Sequence, residues 1–204
     1  FFLTSNFFAL NNLRTETKEL YHGSLSEELD TRIKSVAKIA LFSLKTFQFQ
    51  QSVWKFTLEE AKTEAVKHIR NTSGYSGDTG SYFILSMDGT MVYFPTDVSL
   101  EGKNVLDMEY DGRKVFKEII ETATSNTSGA FLDFSLKKAG ESEFSPVSSF
   151  VISDNQYQWV IGATQFLGSV ETSVDTFNIL TTGISDRLMI TTVTFSAVFL
   201  ILVI

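Results

Sequence analysis

The sequence predicts an α+β domain: helices first, then a five-stranded antiparallel sheet with one helix inserted after its second strand. Three observations carry this reading. Ser81 to Phe94, SYFILSMDGTMVYF, is two apolar, aromatic-rich runs joined at Asp88-Gly89. That pattern is the strongest short-range signal for a β-hairpin, and both turn residues are expected to take positive φ. Before the hairpin, apolar residues recur at spacings of three and four; after its following loop and helix, they come in three β-prone runs separated by turn residues.

Taken in order, Phe1 to Leu10, FFLTSNFFAL, carries no charge. It is too short to span a bilayer, which takes about 20 apolar residues. It reads as the truncated end of a first transmembrane helix or as a buried helix start. Residues 11–56 are expected to form the long N-terminal helix of the domain. Within it, Ser24 to Phe49 carries an apolar stripe of Leu25, Leu29, Ile33, Val36, Ala40, Leu44 and Phe47. Ser24-x-x-Glu27 reads as a capping box at the start of that stripe, and Gly23 as a kink or a join. Thr57-x-x-Glu60 opens a second helix whose buried face is Leu58, Ala61, Ala65, Val66 and Ile69. His68 and Arg70 lie near its end, where cations suit the helix dipole. Asn71 to Gly80 is a loop by composition.

Pro95 has no N–H to donate, so the second hairpin strand should stop near Phe94. Thr96 to Asp111 reads as a loop, and Arg113 to Ala123 as a short helix with Val115, Phe116, Ile119, Ile120 and Ala123 inward. Gly129–Leu136, Phe144–Ile152 and Tyr157–Thr164 are the remaining strands. Phe166, Val170, Val174, Phe177, Thr181 and Ile184 continue at helical spacing, which makes residues 167–187 an exit helix. Leu188 to Ile204 then runs without a charge and would cover about 25 Å of a ~30 Å hydrocarbon core. It reads as a second transmembrane helix, truncated.

Composition narrows the function. Of 204 residues, 43% are apolar and 20% charged, enough to bury a core. The net charge is −7 and no Lys/Arg cluster stands out, which argues against nucleic acid. There is no Cys, hence no disulfide, thiol metal site or Cys nucleophile. The two histidines, His22 and His68, both fall on helices, and no nucleophile elbow or P-loop is present. Asp107, Glu109 and Asp111 lack the alternating oxygens and terminal Glu of a calcium loop and read as a solvated loop. No catalytic residue, metal or cofactor is therefore expected.

With these elements in place, residues 57–166 resemble the single Cache family of PAS-like extracellular sensor domains. LEEAKTEAVKHIR is similar to the family helix before the sheet, and GSYFILSMDGTMVYFP to its hairpin. EGKNVLDMEYDGRKVFKEII is similar to the loop-helix segment, and WVIGATQF to the final strand. The resemblance implies a PAS-like fold and a bacterial receptor in the inner membrane, with its sensor domain periplasmic or extracellular; the striped entering and exit helices lead to the expectation that two chains pair as a homodimer. A chemoreceptor is the expected whole; a histidine kinase or diguanylate cyclase is also compatible. The family's typical ligands, small organic acids and other small metabolites, lie on one sheet face under the loop and helix.

Departures shift the expected ligand. The family's His before Pro is Phe94, its Lys after Pro is Val147, and its Tyr-x-Trp reads Asp133-Phe134-Ser135. A carboxylate pocket wants a cation or several N–H donors. A neutral, amine-bearing or larger apolar molecule suits this chain better. Because side chains alternate along a strand, Tyr82, Ile84, Phe94, Phe131, Asp133, Ser148 and Phe150 are grouped as the ligand-binding face, Ile84 standing at the family's aromatic ligand-facing position. The alternative is a membrane-anchored interaction or structural domain whose pocket has degenerated.

Overall fold

A computed structural model describes residues 2–53, 56–72, 80–138, 140–168 and 172–180, together with 182–183, 186–187, 190–191 and 194. Its first element, α1, is one uninterrupted helix, Phe2–Ser52. The helix does not start afresh at Gly23, and Ser24-x-x-Glu27 lies within it rather than capping it. A lone glycine costs at most ~1 kcal/mol, whereas a break would require a second costly nucleation. Ile33, Ala37, Ala40, Leu44 and Gln48 are its buried stripe, while Leu25, Leu29, Val36 and Phe47 are half-buried. Gln48 is held by a specific partner: its Nε2 donates to Asp154 Oδ2 at 2.7 Å.

The second helix, α2 (Leu58–Thr72), begins with the expected capping box. Thr57 N donates to Glu60 Oε2 at 2.8 Å, and Glu60 N donates to Thr57 Oγ1 at 3.3 Å. The Thr57 backbone N–H holds the Glu60 carboxyl below its ordinary range. Ala61, Ala65 and Ile69 are buried and Val66 half-buried, but Leu58, the first helical residue, is exposed. Asn71 and Thr72 continue α2 instead of opening the loop; residues 73–79 of that loop lie outside the described residues.

The strands are β1 (Gly80–Ser86), β2 (Met91–Tyr93), β3 (Ala130–Lys137), β4 (Phe144–Asp154) and β5 (Trp159–Phe166). They form one antiparallel sheet in the order β2-β1-β5-β4-β3. A short 3₁₀ turn, Val98–Leu100, and α3 (Val115–Ser125) lie between β2 and β3. All five residues expected inward on α3 are buried. The hairpin turn differs from the expected one. Ser86 O accepts from Gly89 N at 2.9 Å and Ser86 N donates to Thr90 O at 2.8 Å, so the loop has three residues. Gly89 has φ of 91° and Asp88 stays at negative φ. The Asp88 carboxylate accepts from Thr90 N at 2.9 Å, which fixes the turn without a mirror-image conformation at Asp88. Tyr157 belongs to the β4–β5 turn, not to β5; its N–H donates to Asp154 Oδ2 at 2.8 Å.

Each sheet face has its own core. On one, Ile84, Tyr93, Phe150, Ile152, Tyr157, Trp159, Ile161 and Ala163 pack against the buried stripes of α1 and α2. On the other, Phe83, Leu85, Met91, Phe134, Val147 and Phe166 pack against the 94–113 loop and α3. This sheet, α2, α3 and α1 from Leu29 onward form one compact unit, Leu29–Gly168. The described residues of 1–28 and 169–204 form a second. Within the second unit Val174 is buried and the Phe177 ring stacks on Tyr21 at 4.3 Å. Val170, Thr181 and Ile184 of the expected exit stripe lie outside the described residues, as does most of the apolar run 188–204. No helix among the described residues is long and apolar enough to cross a membrane.

Candidate ligand-binding face

The face under α3 is closed by a lid, residues 94–113, that follows the end of β2. With Pro95 ending the strand, the lid supplies the missing neighbour. Met91 N donates to Lys103 O at 2.9 Å, and Gly102 N to Met91 O at 2.7 Å. Val105 N donates to Gly89 O at 2.9 Å and Asn104 Nδ2 to Asp88 O at 2.8 Å. These bonds satisfy the outer edge of β2 and aim Leu100 and Val105 at the sheet. The lid's far end is tied by Lys114 Nζ to Asp107 Oδ1 at 2.8 Å and by the Arg113–Glu118 ion pair.

What the lid encloses is apolar. Phe94 meets Phe116 edge-on at 5.9 Å, and Tyr110 meets Phe116 at 5.7 Å and Phe144 at 5.1 Å. Burial pushes the Tyr110 hydroxyl above its ordinary pKa. Thr96 Oγ1 is buried without a hydrogen-bond partner. Among the described residues, none of the buried polar side chains is cationic. The cations nearest this face, Lys138 and Lys137, lie 5.6 Å and 4.8 Å over the Phe166 and Phe144 rings rather than buried within it.

Six of the seven residues grouped from sequence do share a face. Phe131 opposes Phe150 and Asp133 opposes Ser148. Phe150 in turn opposes Ala163, which opposes Tyr82, and Ile84 follows two residues on. That face, however, is the one packed on α1 and α2, not the one under the loop and α3. Phe94 lies on the opposite, lid-covered face. A β-bulge between Ile84 and Leu85 sets Tyr93 opposite Ile84 and Met91 opposite Leu85, so simple alternation fails along β2. On the α1 side the Phe131 and Phe150 rings meet at 5.0 Å, with Lys34 Nζ 5.7 Å from the Phe150 centroid. Burial, and secondarily the Asp133 carboxylate, raise the pKa of Asp30.

Sequence reasoning missed Phe83 and Leu85 as the β1 residues of the lid-covered face. The available signal was Gly162 in the middle of WVIGAT, since glycine inside a strand marks a close approach. A Cβ at Gly162 would sit 2.0 Å from Phe83 Cζ. An open cleft of about 580 Å³ lies between α2 and the hairpin over Val66, Val92 and Trp159. None of the seven grouped residues lines it. No group of three or more His, Asp or Glu among the described residues could hold a metal.

One sheet with a long helix on one face and a lid plus short helix on the other is the arrangement the resemblance implied. The family model described as Cache domain matches residues 9–194. The chain belongs to the Cache domain family. A Cache domain is a sensor domain rather than a catalytic one, and the single five-stranded sheet fits a single Cache. Among relatives, the sensor histidine kinase MctS of Rhizobium johnstonii (strain DSM 114642 / LMG 32736 / 3841) is 25% identical over 160 residues, 78% of this chain. The chain spans 33% of that relative's length. Two solved structures share the Cache fold. The periplasmic sensor domain of a chemotaxis protein has a TM-score of 0.64 at 20% identity, covering 69% of this chain and 96% of that one. A Cache chemosensory domain described for carboxylic acid recognition has a TM-score of 0.65 at 22% identity, covering 72% and 98%.

Proposed function

We propose that this chain is the extracytoplasmic ligand-sensing part of a bacterial inner-membrane receptor, a chemoreceptor or a sensor histidine kinase. Residues 57–166 are its sensing core, 11–56 its long helix and 167–187 its exit helix; 1–10 and 188–204 belong to the two membrane helices. The ligand is a small neutral or largely apolar molecule held between the lid and the sheet. The observation that carries this is the apolar lining of that face: Phe83, Phe94, Phe116, Phe134 and Val147.

A library of neutral, amine-bearing and carboxylate metabolites, screened by thermal shift, tests the reading. One-site binding stabilises by ~2.7 kcal/mol at a hundredfold excess over Kd. Neutral compounds are expected to stabilise the protein. Stabilisation by carboxylates alone overturns the ligand class, and no stabilisation by any compound favours an interaction domain with a degenerate pocket. A second location has its own support. Tyr82, Ile84, Phe131, Asp133, Ser148 and Phe150 share the α1 side, where the Asp133 and Asp30 carboxylates lie beside an aromatic pair. That combination suits an amine. If amines are the hits, Asp133→Ala and Phe131→Ala must weaken them.

The receptor reading includes a homodimer. The outward side of α1 carries Ile39, Phe42 and Phe49, which are 61%, 72% and 66% exposed, and Val53 follows the helix. With Thr46 they repeat at alternating spacings of three and four, the pattern of a helix seam that a second α1 would cover.

A further inference from the structure

The lid and α2 lie on opposite faces of the sheet, and one carboxylate joins them around the edge strand. Glu101 Oε2 accepts from Arg70 of α2 at 2.7 Å, and Glu101 Oε1 accepts from Phe94 N at 3.0 Å. The Glu101 side chain is only 17% exposed. The Arg70 guanidinium also stacks over the Tyr93 ring at 4.8 Å. Tyr93 belongs to the core under α1 and α2, whereas its neighbour Phe94 belongs to the core under the lid. Glu101 follows Leu100, which is buried beneath the lid. Gly102 N holds the next peptide to Met91 O at 2.7 Å.

We propose that the Arg70–Glu101 pair is a clasp through which the position of the lid is transmitted to α2. The proposal rests on the reading of the lid-covered face as the ligand site. A molecule entering beneath Leu100 lifts the lid, and Glu101, one peptide away, moves with it. A shift of the order of 1–2 Å takes a 2.7 Å contact beyond hydrogen-bond reach. The Glu101 carboxylate then leaves both Arg70 and the Phe94 N–H. The last turn of α2, which Arg70 anchors to the sheet edge, is freed to move. The ion pair is thus made in the closed state and broken in the open one, which is the differential contact that a two-state element needs.

The test needs no ligand, so its outcome is separate from the success of any ligand screen. Leu100→Ala loosens the lid from within. Amide hydrogen exchange is followed at residues 67–71 of α2 in the 204-residue chain, with and without Arg70→Met. Met keeps an apolar stem but removes the guanidinium. Leu100→Ala is expected to speed this exchange about fivefold when Arg70 is present and less than about twofold when it is absent. Glu101→Gln, which keeps an oxygen for the Phe94 N–H but removes the charge, must reproduce the effect of Arg70→Met. Leu100→Val serves as the milder perturbation if Leu100→Ala does not fold. An equal response in both backgrounds, or no response at α2 with Arg70 present, overturns the clasp.

Discussion

Replacing Gly162 by alanine tests the packing beneath the proposed ligand face. Gly162 is central in β5 and opposes Phe83 of β1. An added Cβ would lie 2.0, 2.2 and 2.7 Å from Phe83 Cζ, Cε1 and Cε2. Ordinary contact begins near 3.4 Å, so the ring has to retreat by well over an ångström. Phe83 is 1% exposed and packed among other buried side chains, so its ring can retreat only by displacing them. Overpacking of this kind costs about 1–3 kcal/mol, and the size of the overlap argues for the upper end. At ~2–4 °C per kcal/mol for a chain of this length, the melting temperature should fall by roughly 10 °C. Circular dichroism on heating measures it. Phe83→Leu shortens the opposing side chain, so in the double variant the two losses must be less than additive. A melting temperature within about 2 °C of the parent, or fully additive losses, refutes the close approach.

Asp30→Asn should raise the urea midpoint at pH 7. Burial, and secondarily Asp133, raise the folded pKa of Asp30 above its unfolded value, so ionising Asp30 costs stability. That cost fades as pH falls through the folded pKa, so the gain from Asn must shrink on acidification; a gain that is constant with pH contradicts the assignment. Thr57→Ala removes the α2 cap and should cost about 1 kcal/mol in chemical denaturation, without a change in slope. The chain has no native Cys, so Phe42→Cys provides a clean crosslinking probe. Disulfide-linked dimers are expected from Phe42→Cys and not from Thr63→Cys on α2; equal yields from both count against the α1 seam.

Local signals were the legible part of this sequence. The Thr57–Glu60 cap and the inward set of α3 depend only on residues within a few positions of one another, and both appear as read. The strands themselves were also legible, because turn residues separate the apolar runs cleanly. The identity of the site face was not. Both parities of β1 are apolar, Tyr82 and Ile84 on one side and Phe83 and Leu85 on the other, because helices or lid cover both faces. Alternation groups such residues but does not say what covers them. Phe94 was misgrouped because a bulge shifts the count by one residue, and the neighbouring β-prone sequence does not mark it. Gly23 was read as punctuation because local propensity penalises it, while the continuity of α1 is decided by the helix on either side.

The central claim is that the sensed molecule sits between the lid and the sheet. The most direct measurement is amide chemical-shift mapping during titration with the strongest compound from the metabolite screen. The account predicts that the largest shifts fall on Phe83, Phe94, Leu100, Val105 and Val147. Largest shifts at Phe131, Asp133 and Ser148, with the lid unperturbed, would contradict it.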